Sequence, residues 1–255
     1  MMKRRNIIAG LALGLAGTIA ILCGCGKSEA QEIEHYIKTM GSDQKAPTRD
    51  NYMKMLADMG TKAVDPLIRH LDNDSDDMVR AYCCLTLGKI GDKSAESPIK
   101  KAFKDKSADV RARAAKGLTD LIKAKAIPDL IRLLKDDHET PRESAQNCLL
   151  ELGDSAVESL INDCLVQSED PFLRNQGMVI LGRMGKKVTP RLIELLENST
   201  DPDVQVMTAK TLRDIGDKSA LEPINNAAEK YTGKDEKSKK TRRSLDGAYN
   251  ELIQK

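Results

Sequence analysis

Tryptophan is absent from these 255 residues, phenylalanine occurs only as Phe103 and Phe172, and there are five tyrosines and three histidines. A β-sandwich or barrel core would have to be built almost wholly from aliphatic side chains, which is not how such cores are usually filled. An interface dense in aromatic anchors is argued against for the same reason. Long apolar runs are scarce too. The longest, Ile7–Leu22, has sixteen residues, short of the roughly twenty a helix needs to cross the hydrocarbon core. A charged fraction of 31% rules out a multi-span membrane protein, and a hydrophobic fraction of 40% rules out a wholly disordered chain. No nucleophile elbow, dinucleotide fingerprint or zinc-protease helix occurs. Gly26-Lys27-Ser28 is no phosphate loop, because Ile21 stands where that loop needs its first glycine. What is abundant is Leu, Ile, Ala, Lys, Glu and Asp, a helix-forming vocabulary.

The N-terminus has the shape of an export signal: Lys3, Arg4 and Arg5, then the apolar run, then Leu22-Cys23-Gly24-Cys25. The last four residues resemble the lipobox of bacterial lipoproteins, with Cys23 where Ala or Ser is usual. The resemblance implies removal of residues 1–24 and acylation of Cys25, palmitate included. That would hold the chain through an N-terminal lipid on the extracytoplasmic side of a bacterial membrane. Gly26 replaces the Asp that resembles an inner-membrane retention signal, so the periplasmic leaflet of an outer membrane is expected where two membranes exist. The competing reading is an uncleaved N-terminal membrane helix. Cleavage would take three cations and no acid from totals of 41 and 39, leaving a nearly neutral chain. The basic excess of a nucleic-acid binder is then missing, and no nucleic-acid partner is expected.

The rest of the chain repeats. One column reads Arg49, Arg80, Arg111, Arg142, Arg174, Gln205, at spacings of 31, 31, 31, 32 and 31. Seven residues on come Leu56, Leu87, Leu118, Leu149, Leu181 and Leu212, and three further Met59, Ile90, Leu121, Leu152, Met184 and Ile215. These offsets trace one stripe of an α-helix, and the next position is Gly in five of six units, a C-terminal stop; the third has Ile122. Asp170-Pro171, Asp201-Pro202 and Thr140-Pro141 read as helix starts. A second helix follows in each unit, with Leu67, Ile99, Leu130, Leu160, Leu192 and Ile224 as its central apolar column. Pro66, Pro98, Pro128, Pro190 and Pro223 fall in its first turn, where a missing N–H is harmless.

Val79-Arg80, Leu87-Gly88-Lys89-Ile90-Gly91-Asp92 and Pro66-Leu67-Ile68 resemble the short HEAT-like repeats of phycobilisome lyase subunits, over Pro47 to Ala228. The resemblance implies an all-α fold, a right-handed α-solenoid or superhelix of about six two-helix repeats of about 31 residues. Expected divisions are a signal peptide over 1–24, a tether and N-terminal capping helix over 25–46, the repeat array over 47–231, and a charged loop with a C-terminal capping helix over 232–255. Ile33, Tyr36, Ile37 and Met40 form the stripe of the first cap, read as a second-type helix. Leu245, Ala248, Tyr249, Leu252 and Ile253 form that of the last, with Thr232 to Arg243 as a mobile loop.

The regular arginine column is expected to pair with acids or carbonyls of adjacent units, because a ligand site is local and not repeated. His35, His70 and His138 offer no metal site: the iron-binding His-Glu pairs of HEAT-like deoxyhypusine hydroxylases are matched only at His138-Glu139. Cys83, Cys84, Cys148 and Cys164 read as small core fillers, with Cys148–Cys164 the one pair worth testing as a disulfide. In such solenoids the second helices commonly line the concave side. Their outward column is Arg69, Lys101, Arg132, Asn162, Glu194, Asn226, three cations followed by polar or acidic residues. It is the candidate protein-binding surface, polar and salt-sensitive; the alternative is an ordinary solvated face. No catalytic residue, cofactor or small-molecule substrate is expected. The leading expectation is a lipid-anchored protein–protein interaction scaffold at the cell envelope for an unidentified protein partner. The alternative is a subunit resembling the phycobilisome-type chromophore lyases.

Overall fold

The computed structural model describes residues 28–42 and 46–255. The signal segment, Cys25 and the start of the tether lie outside the described residues. Within them the chain is an all-α solenoid. Helix α1 (Glu29–Ser42) covers one end and packs on α2, α3 and α4. Six hairpins follow: α2 (Ala46–Asp58) with α3 (Val64–Asn73), α4 (Asp77–Ile90) with α5 (Glu96–Ala102), α6 (Ala108–Ile122) with α7 (Ile127–Leu133). The remaining three are α8 (Glu139–Leu152) with α9 (Asp154–Ser159), α10 (Pro171–Met184) with α11 (Thr189–Asn198), and α12 (Pro202–Ile215) with α13 (Leu221–Glu229). Helix α14 (Glu236–Gln254) closes the stack against α12 and α13.

The periodic columns are the core. Leu56, Leu87, Leu118, Leu149, Leu181 and Leu212 of the first helices are 0% exposed, as are Leu67, Ile99, Leu130, Leu160, Leu192 and Ile224 of the second. One hairpin leaves its apolar face bare, and each neighbour in the stack covers it. Asp170 and Asp201 cap α10 and α12 by accepting from the N–H groups of Phe172 and Asp203. Thr140 does not cap α8, which begins one residue earlier, with His138 at the N-cap position. Each terminal glycine takes a positive φ, and in the third unit Lys123 does so instead (φ 53°), one place after Ile122.

The second helix of the fourth unit is a π-helix from Leu160 to Val166, continuing α9. This is the unit with the 32-residue spacing and without a first-turn proline. A π-turn takes in one extra residue and leaves the flanking helical register intact, so the insertion is absorbed inside the helix.

Small residues bring two helix backbones into direct contact. A Cβ added at Gly117 would lie 2.3 Å from the Cys84 carbonyl oxygen, and one at Gly88 would lie 2.4 Å from the Gly117 oxygen, so α4 and α6 touch backbone to backbone.

Two expectations are corrected at the C-terminus. The loop expected over Thr232 to Arg243 is short, because α14 starts at Glu236: Asp235 caps it by accepting from the Ser238 N–H, and the Lys- and Arg-rich stretch propagates the helix. Ile253 also departs from the apolar stripe and is an exposed residue. All four cysteines of the array are buried free thiols. Cys148 interacts with Thr119 on α6, whereas Cys164 lies under Gly177 on α10, so the two face opposite neighbours and form no disulfide. Burial pushes the Cys164 thiol up to about 12, which suits a core filler and not a nucleophile.

Candidate functional site

The arginine column is structural, as its regularity predicts. Arg80 donates from Nε and Nη2 to the two carboxylate oxygens of Asp105, at 2.8 Å each, and from Nη1 to the Asp74 carbonyl at 2.9 Å. Arg111 repeats this one unit on, with Asp136 at 2.6 and 2.7 Å and the Asp105 carbonyl at 2.8 Å. Each such aspartate therefore gives its carboxylate to one arginine and its carbonyl to the next, stitching three loops together. Burial pushes the Asp105 and Asp136 carboxyls up, but hydrogen bonds from guanidinium and loop N–H groups, with the guanidinium charge, outweigh it and hold both below the usual range. Farther along, Arg174 reaches the Ser168 carbonyl at 2.6 Å and Asp201 at 3.2 Å. Gln205 donates to the Ser199 and Leu196 carbonyls and accepts from the Tyr231 hydroxyl.

The outward column of the second helices is solvent-exposed at all six positions. Its cations are partnered: Arg69 with Glu34 at 3.2 Å, Lys101 with Asp72 at 2.7 Å, Arg132 with Asp129. Glu194 accepts from Arg191 at 3.2 Å. Pairs exposed on both sides contribute about 0–1 kcal/mol each and exchange readily for a partner's charges, whereas Asp129 is buried.

Clefts open between successive second helices. One of about 590 Å³, between α5 and α7, gathers Lys100, Lys101, Lys104, Arg132 and Lys135 around Phe103 and Leu133. Its two carboxylates are already engaged, Asp136 by Arg111 and Asp129 by Lys100 and Arg132. A second cleft, of about 520 Å³, lies between the π-helix and α11 and holds Asn162 and Glu194. The structure thus brings Lys101 together with Arg132, and Asn162 together with Glu194, whereas Arg69 and Asn226 line neither cleft. Lys100, Lys104 and Lys135 are additions; the signal for the first two was the run Lys100-Lys101-Ala102-Phe103-Lys104.

The histidines serve local structure. His70 bridges Glu34 and Asp74, its two ring nitrogens 2.8 and 2.7 Å from their oxygens, and so pins α1 to the first hairpin. His35 packs beside Tyr36 and Tyr52, and the His138 N–H donates to Asp136 at 2.9 Å. Among the described residues no three His, Cys, Asp or Glu side chains are grouped to hold a metal ion, and no helix is long and apolar enough to cross a membrane.

The family profile for HEAT repeats matches residues 33–110, 64–149 and 95–178. No curated protein matches the chain. Among solved structures it is similar to YibA of Escherichia coli (19% identity, TM-score 0.43, covering 89% of this chain and 83% of that one). It is similar also to the complex of CpcE and CpcF of phycocyanin lyase from Nostoc (19%, TM-score 0.41, 85% and 94%). A third similar structure is the archaeal HEAT-like repeats protein of Thermococcus onnurineus (16%, TM-score 0.42, 85% and 98%).

Proposed function

The chain belongs to the HEAT-repeat family, and on that premise we propose that it is a non-catalytic, lipid-anchored scaffold recruiting a protein partner at the extracytoplasmic side of a bacterial membrane. The observation that carries the scaffold role is the convergence of Lys101 and Arg132 with three further cations around an apolar base in one cleft. Four of the five are held in ion pairs within the chain, Lys100 with Glu96, Lys101 with Asp72, Arg132 with Asp129 and Lys135 with Asp170, which carboxylates of a partner would replace. The anchor is supported by Leu22-Cys23-Gly24-Cys25 behind a charged and apolar leader. The lipid would supply membrane residence, and the stacked hairpins a rigid surface. Binding is expected to be polar and to weaken as salt screens it.

Crosslinked capture from the native cells tests the scaffold. A reproducible partner should be lost with Lys101→Glu/Arg132→Glu and kept with Arg69→Glu; capture that survives the double reversal refutes the cleft as the contact. Mass spectrometry tests the anchor, since a mature chain still carrying residues 1–24 with Cys25 bare would refute it.

A further inference from the structure

Two members of the arginine column depart from the carboxylate pairing: the Nε of Arg49 is buried without a partner, and Arg142 has an open fork. In the second and third units a carboxylate fills the Nε–Nη2 edge of the arginine from the loop that follows, Asp105 on Arg80 and Asp136 on Arg111. In the fourth, Arg142 keeps the carbonyl half of the arrangement, donating from Nη1 to Asp136 at 2.7 Å. Ser168 occupies the aspartate's place: its Oγ accepts from the Asp170 N–H at 3.1 Å, as Asp136 accepts from the His138 N–H. The neighbouring Asp170, placed as Asp201 is for Arg174, is drawn off by Lys135 at 2.8 Å. Among the described residues, the half-buried Arg142 thus has no carboxylate on its Nε–Nη2 edge.

Two further observations say what would fit there. Phe172 is 45% exposed and lies 5.7 Å from the guanidinium carbon, backing the cation with an apolar ring. Asp136, whose carbonyl holds Arg142, also lines the five-cation cleft, so the fork adjoins the most basic part of the second-helix row. We infer that Arg142 and Phe172 form a receptor for a carboxylate of an acidic, partly apolar peptide segment of the partner protein, which completes in trans the bidentate pair that Asp105 and Asp136 complete in cis. The inference deepens the scaffold reading and rests on it.

The repeat itself supplies the test. Ser168→Asp restores the aspartate of the preceding units, keeps the turn acceptor, and should fill the fork from within. The full chain in neutral detergent is titrated with the labelled peptide acetyl-Glu-Leu-Glu-Glu-Leu-amide, read by anisotropy and by the ¹⁵N-coupled Arg142 Nε–H resonance. Wild type should bind and shift that resonance. Both Arg142→Gln and Ser168→Asp should weaken binding about tenfold or more. Ser168→Asp should melt no lower than wild type and show the resonance already shifted without peptide. Wild-type affinity in Ser168→Asp, an Arg142 resonance unmoved at saturation, or no binding at all overturns the receptor. Partner capture that is lost on Lys101→Glu/Arg132→Glu would in that case leave the scaffold standing alone. Capture that survives the double reversal, with peptide binding still abolished by Ser168→Asp, would instead remove the cleft and keep the fork.

Discussion

Gly117→Ala sets two effects of opposite sign against each other. Gly117 lies inside α6, where alanine is favoured over glycine by about 1 kcal/mol. Its new Cβ, however, would sit 2.3 Å from the Cys84 oxygen and 2.8 Å from the Cys84 carbonyl carbon. Ordinary contact begins near 3.4 Å, so α4 and α6 must separate by about 1 Å, and backbone cannot swing aside as a flexible side chain does. A gap of that size forfeits about a quarter to a half of the dispersion well for every atom pair it opens. Overpacking of this kind costs about 1–3 kcal/mol, and the upper end applies because a whole helix pair is moved. The net expectation is a loss of about 2 kcal/mol. Gly247→Ala in α14 is the matched control, since nothing lies within 4 Å of its added Cβ, and it should gain about 1 kcal/mol. Urea melts followed by circular dichroism at 222 nm would compare them. Equal stabilisation by both substitutions would refute the backbone contact between α4 and α6.

Three other outcomes are expected. Lys123→Gly should stabilise the chain by about 1 kcal/mol, because Lys123 alone among the described non-glycine residues has a positive φ; a lower thermal midpoint would contradict the strain. Asp136→Asn should cost about 1.5–3 kcal/mol at neutral pH. The folded Asp136 carboxyl titrates below its unfolded value near 3.9, so its contribution is complete above that pH and fades as pH falls through the folded value. The variant's stability should accordingly change less than the wild type's between pH 5 and pH 2, and parallel acid limbs would count against the pair. Deleting Asp163 from the π-helix should turn it into an ordinary α-helix with little loss. Deleting Glu194 from α11 should unfold its unit, because about 100° of rotation turns the following apolar column away from the core. Similar melting of the two deletions would refute the π-helix as the seat of the insertion.

The repeat was legible because its signal is redundant. Six copies of a leucine at one offset and six of a leucine or isoleucine at another leave no second periodicity to choose, and all twelve proved fully buried. The same averaging obscured what is local. Thr232 to Arg243 read as a loop because it lacks the apolar column, although Lys and Arg form helix well and Asp235 caps it. The aspartates Asp74, Asp105 and Asp136 keep the 31-residue spacing before the column lapses to Ser168 and Ser199, yet charged residues at a unit boundary look like any solvated turn until the pairing is seen. The outward column was correctly placed at the surface, but which members share a cleft depends on how neighbouring second helices diverge, and a one-dimensional period carries no such information.

In an array of near-identical bricks, the regular positions hold the bricks together, so chemistry particular to one partner has to reside in the exceptions. Several of the exceptions share a unit, although Lys123 stands in for the terminal glycine in the third and Gln205 for the arginine in the sixth. The single 32-residue spacing falls in the fourth unit; the same unit lacks the first-turn proline, carries the π-helix, and puts Ser168 where an aspartate closed the fork of the preceding arginine, a replacement the fifth unit shares at Ser199. On the scaffold reading proposed above, their position between the cationic cleft and the Asn162–Glu194 cleft puts the partner contact at the middle of the second-helix row. A substitution series along the row should therefore lower partner affinity most at the fourth unit and the cleft before it, and least at Arg69 and Asn226; a flat profile would mean that the departures are structural accommodation alone.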